Sequence, residues 1–188
     1  MVAPIYKYMG LDAAEIILGW ENAFDIRLSD AEVFELRTPK QAIDLISIKV
    51  GALDQEPGVL LGLRAYHRFR QAFVTLLKVP RDQVRLESKL SILLPQAQRL
   101  TTWQTIFTKA GFPTAPKLVW GARVIFWPFT IQDLVIWSIA YHPQSLFGAE
   151  EWWTKPQVRA VVRAMITQIL NLDKFNDDDD FVIDIGID

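Results

Sequence analysis

The chain has no cysteine, which excludes disulfides and thiolate chemistry and suits a reducing compartment, so a cytoplasmic location is expected. It has only two histidines, His67 and His142. Neither has an Asp or Glu at ligand spacing, and no metal site is expected. There is no G-x-S-x-G phrase and no glycine-rich phosphate loop, so a nucleophile–base pair or a nucleotide cradle is not visible. Catalysis is therefore not expected, and no cofactor is called for. A long unbroken apolar run is also missing. The most apolar stretch, residues 118–141, is interrupted by Arg123, Pro128 and Asp133, whereas a membrane span needs about 20 largely apolar residues. The first ten residues lack a charged start followed by an apolar core, so no secretory signal is visible.

What the chain has in quantity is apolar and aromatic surface: 51% hydrophobic residues, with seven Trp and eleven Phe among 188. That is enough for one substantial core or two small ones. Charge is unevenly placed. Residues 1–58 hold five Lys and Arg against ten Asp and Glu, and residues 143–188 hold four against nine. Residues 59–142 hold eleven against three. The two acidic ends share a character that the basic middle lacks, which groups the ends together and sets the middle apart.

Apolar residues recur at helical spacing throughout, and no strand-like alternation of useful length appears, so the expected fold class is all-α. Asp12 with Glu15 reads as a capping box opening a helix whose buried face is Ile16, Ile17, Trp20 and Phe24. Ser29 and Glu32 open a short helix. Thr38, with Pro39 in the first helical position, opens another carrying Ala42, Ile43, Ile46 and Val50. Gly51 and the 55–58 stretch read as a linker. In the middle, residues 63–77 form a helix with Tyr66, Phe69, Phe73, Leu76 and Leu77 on one side. Residues 100–110 form the next, with Trp103, Ile106 and Phe107, and Thr130 with Asp133 opens one carrying Leu134, Ile136, Trp137 and Ile139. Thr154 and Gln157 cap a final long helix with Val158, Val161, Val162, Met165, Ile166, Ile169 and Leu170 spaced for burial.

The two ends carry complementary phrases. Near the start stands Gly10-Leu-Asp-Ala-Ala-Glu-Ile-Ile, continuing to Glu21, Phe24 and Ile26; at the end stands Phe181-Val-Ile-Asp-Ile-Gly-Ile-Asp188. Placed end to end, they resemble the acyl carrier protein family, in which an opening helix leads to F-V-x-D-L-G-x-D, then a serine, then L-D-x-x-E-L and a later E-x-x-F-x-I. Phe181, Val182, Asp184, Gly186 and Asp188 match the first phrase; Leu11, Asp12, Glu15, Ile16, Phe24 and Ile26 match the second. The resemblance covers residues 154–188 and 10–50. It implies a four-helix unit split between the chain ends (1–50 and 154–188) around a basic helical insert (59–142), itself open to reading as a diverged second carrier-like unit. The family tethers acyl groups through a phosphopantetheine arm on the serine. In this chain Gly10 stands at that position, with no hydroxyl to attach anything. Ser88 and Ser91 lack the flanking Asp and Leu of the motif.

The resemblance thus implies a carrier-like protein without its arm, acting by protein–protein interaction in acyl-chain or polyketide-type metabolism, another carrier protein being one such partner. Asp12, Glu15, Glu21 and Asp25 are candidate contacts for a basic partner, weighed against an ordinary solvated helix face. Arg64, Arg68 and Arg70 lead a basic stripe continuing through Lys78, Arg81, Arg85 and Lys89. With no nucleic-acid motif and a pI of about 5.7, that stripe points to an acidic protein surface rather than to nucleic acid. The acidic run at residues 177–180 lacks the ligand alternation of a calcium loop and reads as a solvated loop. Two alternatives stay open: a genuine carrier modified at another serine, and a peripheral membrane or lipid-binding module using Trp120, Phe126, Trp127 and Phe129. The split halves can pair within one chain or by a reciprocal swap between two.

Overall fold

Polar caps fix four of the helix starts. The computed structural model describes residues 10–94, 99–116, 130–148, 151–172 and 174–187. Among these lie eight α-helices: α1 (Leu11–Phe24), α2 (Asp30–Glu35), α3 (Pro39–Lys49), α4 (Leu61–Leu77), α5 (Leu90–Leu93), α6 (Arg99–Ala110), α7 (Ile131–Tyr141) and α8 (Lys155–Leu170). Two short 3-10 turns, Arg81–Gln83 and Pro143–Leu146, join them. The only extended pairings among the described residues are two isolated bridges, so the all-α class holds. Ser29 and Glu32 form a reciprocal capping box at α2, and Thr130 and Asp133 do so at α7. At α3 the Gln41 N–H donates to Thr38 Oγ1, with Pro39 leading the helix. At α8 the Thr154 N–H donates to Gln157 Oε1 at 2.9 Å.

The start of α1 differs from its sequence reading. Gly10, not Asp12, takes the cap position, and no side chain caps the helix. The extended backbone of Gly10 (φ −56°, ψ 161°) lets its carbonyl accept from Ala14 N–H at 3.2 Å. Asp12 therefore lies inside the first turn, where a carboxylate still complements the helix dipole.

The chain divides into two compact units, Met1–Gly58 with Phe147–Asp188, and Val59–Leu146. In the first, α8 packs against both α1 and α3. The core joins Ile16, Ile17, Trp20 and Phe24 of α1 to Ala42, Ile43 and Ile46 of α3. From α8 come Val158, Val161, Val162, Met165 and Ile166. Ile169 and Leu170, expected to be buried, are only half so, at the last turn of α8. Phe147 and Trp153, which sequence reading assigned to neither part, join this unit through rings: Trp153 lies 4.8 Å from Phe24 and 4.4 Å from Phe147. The segment read as a linker is pinned at one point, where Leu53 N–H donates to Trp153 O at 2.8 Å and Lys155 N–H to Leu53 O at 3.0 Å.

In the second unit α4 packs against α6 and α7. Its buried stripe is Leu61, Ala65, Phe69, Ala72 and Phe73, rotated away from the expected Tyr66, Leu76 and Leu77, which are half-exposed. The small Ala65 and Ala72 admit the aromatic neighbours. Phe107 sits 5.1 Å from Phe69, 5.0 Å from Trp103 and 5.4 Å from Trp137, each pair meeting edge-on as ring quadrupoles favour. The Trp103 indole N–H donates to Pro116 O at 2.9 Å.

Candidate interaction surfaces

The carrier-motif residues fall on two elements of the first unit. On α1, Gly10 leads directly into Leu11, whose side chain is 83% exposed. Glu15 and Leu18, four and seven positions on, lie on the same outward face and are exposed; Asp12 is half-exposed and Asp25 is exposed at the helix end, in a left-handed turn. In the closing segment Phe181, Asp184 and Gly186 form a tight turn. Its backbone is held by Asp184 and Ile185 N–H donating to Asp180 O, both at 3.0 Å, and by Ile187 N–H donating to Phe181 O at 2.8 Å. Gly186 sits at φ 81°, a conformation that favours glycine. Ile185 and Ile187 are buried, and the Phe181 ring lies 6.3 Å from Trp20 of α1. Asp188 lies outside the described residues, as do Trp120, Phe126, Trp127 and Phe129.

Glu21 is not a surface contact. It is 6% exposed, accepts the Leu28 N–H at 2.8 Å and pairs with Arg27 at 3.6 Å. It ties the turn after α1 back onto the helix. Charge alone groups it with Asp12, Glu15 and Asp25, whereas helical spacing turns it away from Asp12 and the chain reversal at residues 25–28 folds over it.

The acidic run is only in part the solvated loop expected: Asp178 is exposed, but Asp177 is drawn in. Asp177 pairs with Arg159 and with Arg163 of α8, and its carbonyl accepts Lys40 N–H at 2.7 Å. Burial pushes the Asp177 carboxyl up, but the two arginines outweigh it and hold its pKa below the usual carboxylate value. Asp178 pairs with Lys40 at 3.2 Å. Asp179 accepts from Asn176 N–H at 2.6 Å. Asp180 accepts from Val182 and Ile183 N–H at 2.9 and 3.0 Å, and these backbone donors lower its pKa. The run clamps the closing segment to the start of α3 and to Arg159 and Arg163 of α8. A shallow groove of about 540 Å³ lies there, lined by Lys40, Asp44, Lys155, Arg159, Asp177 and Asp178 among others. Each of its cations already has a carboxylate, Lys155 pairing with Asp44 at 2.7 Å.

On the second unit two candidate arginines are likewise engaged internally. Arg64 and Arg68 donate to the Leu146 and Ser145 carbonyls, each at 2.5 Å, fastening the turn after α7 onto α4. Burial first and Arg64 second press the Arg68 pKa downward. Arg70 stacks 4.8 Å over the Tyr66 ring and meets His67 Nδ1 at 2.9 Å. All three are half-buried. The rest of the stripe stands differently: Lys78, Arg81, Arg85 and Lys89 are exposed, on a segment whose backbone is anchored between residues 83 and 88. Tyr66 Oη donates to Val84 O at 2.8 Å, Ser88 Oγ to Gln83 O at 2.7 Å, and Gln132 N–H to Leu86 O at 2.9 Å, while Val84 is fully buried beneath.

One pairing escaped sequence reading because its members are far apart in the chain. Thr114 Oγ1 lies 2.7 Å from His142 Nε2, and the imidazole meets Trp137 edge-on at 4.9 Å. Burial lowers the His142 pKa, so the ring is neutral near pH 7. The contact fastens the loop after α6 to the end of α7. Among the described residues no group of His, Asp and Glu is placed to hold a metal ion, and no helix is long and apolar enough to cross a membrane.

Fold and surfaces together define an all-helical protein of two units, one acidic with an exposed carboxylate-and-leucine helix face, the other basic with a rigid cationic edge. No protein-family model matches the chain, and no solved structure matches it.

Proposed function

We propose that the chain is a non-catalytic, acyl-carrier-like protein that works by protein–protein contact in acyl-chain or polyketide-type metabolism and bears no phosphopantetheine arm. The observation that carries this reading is the start of α1. Gly10 occupies the helix cap, and an exposed face of Leu11, Glu15 and Leu18 follows it. A carrier needs a hydroxyl at that position to form the phosphodiester; glycine leaves a recognition face with nothing tethered to it. The association of the two phrase-bearing segments in one unit further supports it. The partner in this reading presents basic residues around an apolar recess, and among such partners are the enzymes that ordinarily receive a carrier.

Co-expression with a broad phosphopantetheinyl transferase should leave the intact mass unchanged. The protein should also compete with a genuine acyl carrier for an acyl-transfer enzyme, and Glu15→Lys should remove that competition. A mass gain of one prosthetic group would show a working carrier modified at another serine. No competition from the wild-type chain would end the reading.

A further inference from the structure

The charge separation between the units is larger than the net value of −2 suggests. Nine Lys and Arg stand against nineteen Asp and Glu in the first unit, a balance of −10, and eleven stand against three in the second, a balance of +8. In the first unit many of the carboxylates are engaged. Asp44, Asp177, Asp178 and Glu32 pair with cations of their own unit, and Asp180 serves the backbone. Glu15 and Asp25 on α1 are exposed and have no ion pair among the described residues. Glu15 lies on the α1 face of the exposed Leu18 and the still more exposed Leu11, and Asp25 caps the end of that helix.

The second unit presents the complement. Lys78, Arg81, Arg85 and Lys89 are exposed on the same short segment as Leu86, itself 42% exposed, and none of the four makes an ion pair among the described residues. Only Asp82 and Glu87 offset them within residues 78–89. Because this segment is bonded at Val84, Leu86 and Ser88, Arg85 and Lys89 project from a held backbone, and docking there costs little backbone ordering entropy. An apolar centre ringed by charge is the usual layout of a protein-binding patch.

We infer that the Lys78–Lys89 edge of the basic unit docks the acidic α1 face of a second copy of this chain. This inference does not depend on the carrier reading. The two patches differ, so the contact is heterologous: each copy offers one edge and one α1 face, and association continues head to tail unless the rotation closes a ring. Opposite fields of this size steer encounter and set the register, and the leucines at each centre are desolvated on contact.

Sedimentation velocity of the full chain across a concentration series tests this. At about 50 mM salt the wild type should show concentration-dependent species above the monomer. Raising salt to about 500 mM, where the Debye length falls to a few ångströms, should weaken association at least about tenfold. Arg81→Glu with Lys89→Glu should be monomeric, as should Glu15→Lys with Asp25→Lys, each with unchanged circular dichroism. Mixing the two charge-reversed proteins restores complementary patches and should restore the larger species. A wild type that stays monomeric at low salt overturns the proposal. So does association indifferent to both variants, or folded variants whose mixture fails to associate.

Discussion

Gly19 shows how one missing side chain sets the approach of two helices. A Cβ built at Gly19 of α1 would lie 2.6 Å from Met165 Sδ of α8, and Met165 is itself buried. Gly19→Val should therefore destabilise the protein by about 1–3 kcal/mol through overpacking. Combining it with Met165→Ala should cost less than the two changes added, because the alanine vacates the space the valine needs. A denaturant cycle on the four proteins checks this, and simple additivity would mean the two residues do not meet. Glu32 carries a second residue-scale prediction. Its contact with Lys49 at 2.7 Å, aided by the Ser29 N–H and hydroxyl, holds its pKa at about 2 against an ordinary 4.5. A depressed carboxylate contributes stability that is fully present above its unfolded value and lost as pH falls toward the folded one. Thermal melts of wild type and Glu32→Gln should thus differ near neutral pH, and the gap should close between about pH 4.5 and about pH 2. A gap independent of pH would show that the ion pair contributes nothing. Asp177, also depressed, acts in the same direction, so acid should loosen the clamp on the closing segment as well.

At the scale of elements, the helices whose starts carry a Ser or Thr with a polar residue three positions on were legible in the sequence. Ser29, Thr38, Thr130 and Thr154 each stand at the helix boundary that the structure shows. That signal is local, because a cap is satisfied within one turn. The same rule misplaced the start of α1, where Asp12 had the right residue type but Gly10 had the backbone geometry. Legibility fell wherever a partner came from far along the chain. Residues 177–180 look like a solvated acidic loop until Arg159, Arg163 and Lys40 are brought beside them. Glu21 looks exposed until residues 25–28 turn back over it. Arg64 and Arg68 look free until the turn after α7 offers its carbonyls. The exposed cations at residues 78–89 were read from composition, but their rigidity was not, since it rests on bonds from Tyr66 and Gln132.

For the whole molecule, the central claim is that the chain's two ends make one folded unit. Its parts argue for mutual dependence. The face of α8 that buries Val158, Val161, Val162, Met165 and Ile166 meets α1 and α3, and each such side chain is worth roughly 1.5–3 kcal/mol when withdrawn from water. Alone, an isolated helix as short as α1 or α3 is marginal in water. The charge pattern fits the same grouping, although exposed ion pairs add at most about 1 kcal/mol each and orient rather than hold. Fragment complementation tests the claim most directly. Two separate peptides, residues 1–58 and residues 147–188, should each be largely unfolded, as followed by circular dichroism and by emission from Trp20, the one tryptophan of the first peptide. Mixed at equal concentration, they should gain helix, bury the Trp20 indole and melt cooperatively. A mixture whose spectrum is the sum of its parts at every concentration would contradict the account.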